Sequence, residues 1–157
     1  MMKRTSHCLS PILAAALLAA CGSGETGGVA DSTGTACAPG VAGTISAGAA
    51  LEPTLASIQD NVFTPSCTIS GCHGGAVAAD LRLESGASAG NLISIASSQN
   101  PSLIRVIPGD PDNSLLIQKL ECDSPPVGAR MPLGGPYFDQ ETIDVIRQWI
   151  ANGAPES

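Results

Sequence analysis

Cys67-Thr68-Ile69-Ser70-Gly71-Cys72-His73 sets two thiols and an imidazole within seven residues, the histidine fused to the second cysteine. Two thiols can add to the vinyl groups of a haem, and an imidazole beside them can ligate the iron. The usual form of that attachment motif is C-x-x-C-H; here four residues separate the thiols. Thr68 and Ile69 are β-branched and Gly71 is permissive, so the stretch reads as a loop that can bulge around its extra residues. Gly74 and Gly75 follow the histidine and would let the backbone pass close to a flat ligand. A disulfide between Cys67 and Cys72 beside an incidental histidine is the plainest competing reading in an oxidising compartment. Zinc is a third, but His73 is the only histidine beyond the amino-terminal segment, so Cys37 or Cys122 would have to complete the ligand set.

Upstream of this motif, Leu55, Ile58 and Val62 fall on one helical face. Pro53 suits the first turn and Pro65 disfavours helix at Thr64, so a helix of about ten residues runs into the thiol motif. Downstream, Ala79–Leu83 reads as a short extended piece and 87–95 as a short helix. The apolar run Leu103–Ile107 carries Arg105 within it and ends in the Pro108-Gly109 turn. Asp110 is the expected cap of a helix starting at Pro111 and running to about Leu120, with Leu116 and Leu120 inward. Residues 121–136 hold four prolines around Met131 and read as a long irregular loop of the functional kind. Asp139 caps a final helix with Glu141 in its first turn, an Ile143/Ile146/Ile150 stripe and Trp149 beside it. Asn152-Gly153 ends that helix.

The remaining chain divides into three parts. Residues 1–20 read as an export signal: Lys3 and Arg4 precede an apolar run too short to span a bilayer. The run closes Leu18-Ala19-Ala20-Cys21, which resembles the lipobox of bacterial lipoproteins. That resemblance implies lipidation of Cys21, export and anchoring to the cell envelope, with an outer-membrane address favoured by Gly22. Several acyl chains on one residue exceed the single chain that holds only marginally. Residues 21–51 are rich in Gly, Ala, Ser and Thr and read as a disordered tether reaching about 30 Å. Residues 52–157 form the folded domain.

Composition narrows the function further. Hydrophobic residues make up 43% of the chain, yet only Phe63, Tyr137, Phe138 and Trp149 are aromatic. A domain that lacks large apolar side chains would gain a hydrophobic centre from a buried porphyrin. From Cys21 onward five cationic side chains face fourteen carboxylates, a net charge of −9. That balance argues against nucleic acid, which needs clustered Lys and Arg to displace counterions.

With these pieces in place, the stretch from Pro53 to Ala154 resembles class I c-type cytochromes, in particular small cytochrome-like domains of exported bacterial and planctomycete-type proteins. The residues that carry the resemblance are Cys67, Cys72 and His73, the Pro108-Gly109-Asp110-Pro111-Asp112-Asn113-Ser114 segment, Arg130-Met131-Pro132 and the last helix with Trp149. The resemblance implies a mainly α fold with long loops and short β pieces. Phe63 and Trp149 stand where helices cross in that family. It also implies one haem c, held by Cys67 and Cys72, with His73 as proximal ligand and Met131 as distal ligand. Met131 is the sole methionine after the signal; its competing role is that of a core side chain filling a gap. Arg130 is a candidate propionate contact. In many members a proline carbonyl receives the proximal imidazole N–H, but no proline stands between His73 and Pro101 here.

Cys37 and Cys122 are the remaining mature thiols. Pairing them would close a long loop, for which chain entropy gives about 4–5 kcal/mol. The expected function is electron transfer to and from a redox protein partner, by a carrier rather than an enzyme. The alternatives are a haem-free, disulfide-stapled lipoprotein binding domain and, if Met131 does not ligate, an open-site haem sensor or peroxidase.

Overall fold

The computed structural model describes residues 51–157 together with the backbone of a two-residue strand, β1 (Thr44–Ile45). The expected signal peptide, the lipidation site Cys21 and Cys37 lie outside the described residues. Among the described residues the fold is mainly α with few strands, and no helix is long and apolar enough to cross a membrane.

The first helix, α1 (Leu55–Ile58), starts where the Thr54 hydroxyl accepts the Ser57 N–H at 3.2 Å, satisfying one of the free donors of a helix start. It continues as wider π turns over Gln59–Cys67 with Pro65 inside them. The helix runs into the thiol motif as expected, but it includes Thr64 and Pro65, where proline was expected to disfavour it. Proline has no N–H to offer, and α geometry would press its ring against the carbonyl four residues back. Turns bridged five residues apart, such as Thr68 N–H to Phe63 O at 3.0 Å, carry the chain past it. The helix therefore delivers Cys67 at its last position.

A 3₁₀ turn, Ala78–Asp80, replaces the extended piece expected at Ala79–Leu83. Val77, Ala79 and Asp80 all have positive φ, between 50° and 54°, and the turn doubles back beneath His73. Leu83 N–H then donates to His73 O at 2.7 Å. Helix α2 is shorter than expected, Ser88–Leu92. The chain leaves it to form an irregular hairpin in which Arg105 N–H donates to Ile95 O and Ser97 N–H to Leu103 O, both at 2.8 Å.

Asp110 does not cap a helix at Pro111. Its carboxylate accepts the Asn113 backbone N–H at 3.2 Å, its carbonyl accepts the Ser114 hydroxyl at 2.7 Å, and α3 begins only at Leu115, ending at Glu121. The turn satisfies Asp110 locally, so the helix starts one turn later. Leu120 is buried and Leu116 partly so.

Residues 121–136 form the irregular loop that the prolines imply, with cis peptide bonds at Met131-Pro132 and Gly135-Pro136. Strand β2 (Tyr137–Phe138) pairs in parallel with β1, Thr44 opposite Tyr137 and Ile45 opposite Phe138. A piece of the expected tether thus lies against the lead-in to the last helix.

That helix, α4 (Gln140–Ala151), matches its sequence pattern. The Asp139 carboxylate accepts the Thr142 N–H at 2.9 Å, and Ile143, Ile146, Trp149 and Ile150 are buried. Asn152 caps it, Gly153 takes a left-handed φ of 94°, and the Trp149 indole N–H reaches Pro155 O at 2.9 Å. Phe63 and Trp149 belong to one apolar core, which also takes in Leu92, Val106, Ile117 and Phe138.

Candidate functional site

The site is assembled on the stretch that ends α1. His73 N–H donates to Cys67 O at 2.9 Å and Cys72 N–H to Ile69 O at 3.0 Å, so the loop closes on itself. Its extra residues bulge outward: Ile69 is 55% exposed and Gly71 has a φ of 84°. Gly74 is required here for a close approach, since a Cβ would lie 2.6 Å from the Thr68 carbonyl oxygen. The neighbour that requires glycine there is this backbone. The long spacing is taken up by this bulge, and Cys67 and Cys72 both stand on the wall of a partly open cavity that Ile69 and Gly71 also line.

That cavity has a volume of about 400 Å³, within the range of small-molecule and cofactor sites. Cys67, Cys72, His73 and Met131 all line it, with walls from Val62, Phe63, Leu81, Leu92, Leu116 and Phe138. Ile69 and Leu133, 55% and 72% exposed, form part of its rim. Four residues brought from two parts of the chain, two thiols, an imidazole and a thioether, thus face one largely apolar space.

Cys67 and Cys72 are free thiols. The Cys67 thiol donates to Val62 O at 3.8 Å. Burial, with a smaller contribution from Cys72, pushes it up from 9.0 to about 12, so it stays protonated at neutral pH.

His73 Nδ1 lies 3.0 Å from Ala78 O and 3.3 Å from Leu81 O. Carbonyl oxygens only accept, so Nδ1 must carry the hydrogen, and in the neutral ring the Nε2 lone pair is left for a metal. The partner that the resemblance could not locate for lack of a proline is therefore the Ala78–Leu81 turn. Such a bond fixes the orientation of a ligating imidazole and raises its basicity.

Met131 stands in the irregular loop, its N–H held by Lys119 O at 2.7 Å, with its side chain partly buried against the core. Arg130 is directed elsewhere. It is 4% exposed, donates through Nε to Leu120 O at 2.9 Å and through Nη1 to Asp123 at 2.7 Å, and its guanidinium lies 4.1 Å from the Tyr137 ring centroid. Arg130 is not among the residues that line the cavity; its fork braces the loop that presents Met131.

Arg105 does line the cavity, together with Lys119 and Gln99. Burial lowers the pKa of Arg105, opposed by nearby Asp80, and burial also lowers that of Lys119. The sequence held a signal for Arg105: a lone cation inside the apolar run Leu103–Ile107 marks a buried guanidinium that has found partners.

Cys122 is disulfide-bonded, and its partner is neither of the two free thiols. The Cys37 half of the expected pair lies outside the described residues. Among the described residues no three His, Cys, Asp or Glu side chains converge as a metal cage requires; Cys67, Cys72 and His73 line a wall instead. Compared with known proteins, the chain matches no family model, no curated protein and no solved structure.

Proposed function

We propose that this chain is a single-haem electron carrier of the class I c-type cytochrome kind, exported and anchored through a lipidated Cys21. The observation that carries the reading is the convergence of two free thiols, an imidazole committed at Nδ1 and a methionine on one apolar cavity. Cys67 and Cys72 would hold a haem through thioether bonds, and His73 Nε2 and Met131 Sδ would ligate its iron. When bound, the group supplies reversible one-electron exchange between ferrous and ferric iron. The chain's own residues do the rest. A thioether ligand favours the ferrous state relative to a second imidazole. The Ala78 and Leu81 carbonyls hold the proton on Nδ1, and the apolar walls keep water from the ligands. With His73 and Met131 both committed to the iron there would be no coordination site left for a substrate, which favours a carrier over an enzyme. Its partner is another redox protein.

The test is expression of the full-length chain with a c-type cytochrome maturation system, followed by intact mass and a pyridine haemochrome spectrum. One covalent haem per chain is the expected product, lost when Cys67 and Cys72 are both replaced by Ser. A colourless product with a Cys67–Cys72 disulfide would replace this reading with the haem-free binding domain. A Met131→Ala protein whose spectrum is unchanged would leave the iron with an open position and favour sensing or peroxidase chemistry.

A further inference from the structure

Each of the four carbonyls from Ala78 to Leu81 accepts a side-chain donor, from either His73 or Arg105. Those of Ala78 and Leu81 accept from His73 Nδ1. Those of Ala79 and Asp80 accept from Arg105 Nη2, at 3.2 and 2.9 Å. The same guanidinium reaches Asn91 O through Nη1 at 2.9 Å, and Ser98 Oγ adds a second donor to Ala79 O at 2.6 Å. Val77, Ala79 and Asp80 hold left-handed backbone conformations, which L-residues avoid, a β-branched valine most of all. Such a conformation persists where surrounding bonds over-determine it.

Arg105 is well placed to impose it. It is 7% exposed, and its backbone is fixed on both sides, N–H to Ile95 O at 2.8 Å and carbonyl to Leu116 N–H at 2.9 Å. We propose that Arg105 is a positioning residue for His73: its fork holds the Val77–Leu81 turn so that the Ala78 and Leu81 carbonyls keep the imidazole proton on Nδ1 and aim Nε2 into the cavity. The fork is essential, because three carbonyls in different directions match a planar guanidinium and not the compact ammonium of lysine. As a statement about iron ligation this rests on the haem reading; as a statement about the tautomer and orientation of His73 it does not.

The test compares the full-length chain with its Arg105→Lys and Ser98→Ala variants, 15N-labelled at histidine, in the reduced, diamagnetic state. It measures solvent exchange at His73 Nδ1–H, the midpoint potential and the urea midpoint. In Arg105→Lys the Nδ1–H should exchange about tenfold faster, the scale set by the net worth of one lost hydrogen bond. The potential should rise, because a loosely held N–H makes the imidazole a weaker electron donor. Ser98→Ala, which removes one donor to the turn and leaves the guanidinium in place, should move both in the same direction by less, and decides the matter if Arg105→Lys does not fold. Unchanged exchange and potential beside a lowered urea midpoint would show that Arg105 only packs, and would overturn the proposal. If the chain takes up no haem, the electron-carrier reading fails separately. Exchange at Nδ1 then still gives the answer: faster in Arg105→Lys sustains the positioning role, and no change removes it.

Discussion

Helix α4 and the Cys67–Leu81 wall of the cavity solve opposite problems within one small core. In α4 every local choice agrees: Asp139 caps it, four large side chains on one face are buried, and glycine follows the Asn152 cap. The Cys67–Leu81 wall is built from wide helical turns, a bulged loop and three left-handed residues, each left-handed residue costing about 1–3 kcal/mol. The first region gains stability from burial; the second consumes some of it to aim side chains at a cavity. The difference teaches where substitutions can only harm and where one can help. Among the described residues, three of the five non-glycine residues with a left-handed φ stand beside the candidate ligands, the others being Ser94 and Ala154.

The heaviest test of this contrast is Trp149→Ala. Its side chain is fully buried, so truncation should cost about 3–5 kcal/mol in urea denaturation; a loss below about 1 kcal/mol would mean that α4 is not the anchor described here.

Next is the chemistry of Cys67. Burial holds its thiol near 12 against 9.0, so iodoacetamide at pH 8 should modify it in the folded, haem-free chain on the order of a thousand-fold more slowly than in urea. Because the folded value lies above the unfolded one, the neutral thiol's contribution to stability is complete below about pH 9 and is lost as pH rises toward 12. Rapid alkylation under native conditions would place Cys67 outside the apolar wall.

The two smallest effects have opposite signs. Asp139→Ala removes the α4 cap and should destabilise by about 1 kcal/mol. Ala79→Gly should stabilise by roughly 0.5–1 kcal/mol, since glycine tolerates the φ of 54° there and only an exposed methyl group is lost. If thermal unfolding shows both substitutions destabilising, the Val77–Leu81 turn is not under the strain that distinguishes it from α4.

Much of this was legible in the residues alone, and the exceptions have physical causes. The α4 boundaries and stripe could be read because cap, period and stop signal all lie within one helix. The start of α3 was misjudged because Asp110 can satisfy a turn as readily as a helix end, and which of them wins depends on Ser114 reaching its carbonyl. Pro65 was read as disfavouring helix because α geometry cannot hold it; π turns were not anticipated. Arg130 and Arg105 show how little sequence position says about where a guanidinium goes. Proximity to Met131 favoured the first, but its donors go to Leu120 and Asp123, while the second reaches the cavity from an apolar run far along the chain.

By itself the sequence determined the adjacency of Cys72 and His73, the single methionine of the folded domain and the self-contained last helix, because covalent order and local period suffice for these. Only the tertiary structure decided that Met131 shares a cavity with the thiols, that the Ala78 and Leu81 carbonyls accept the imidazole N–H, and that Arg105 bonds to their turn. Hydrogen bonds such as Arg105 to Ala79 join residues far apart in the chain, and no propensity or spacing encodes which distant carbonyl a buried donor will find.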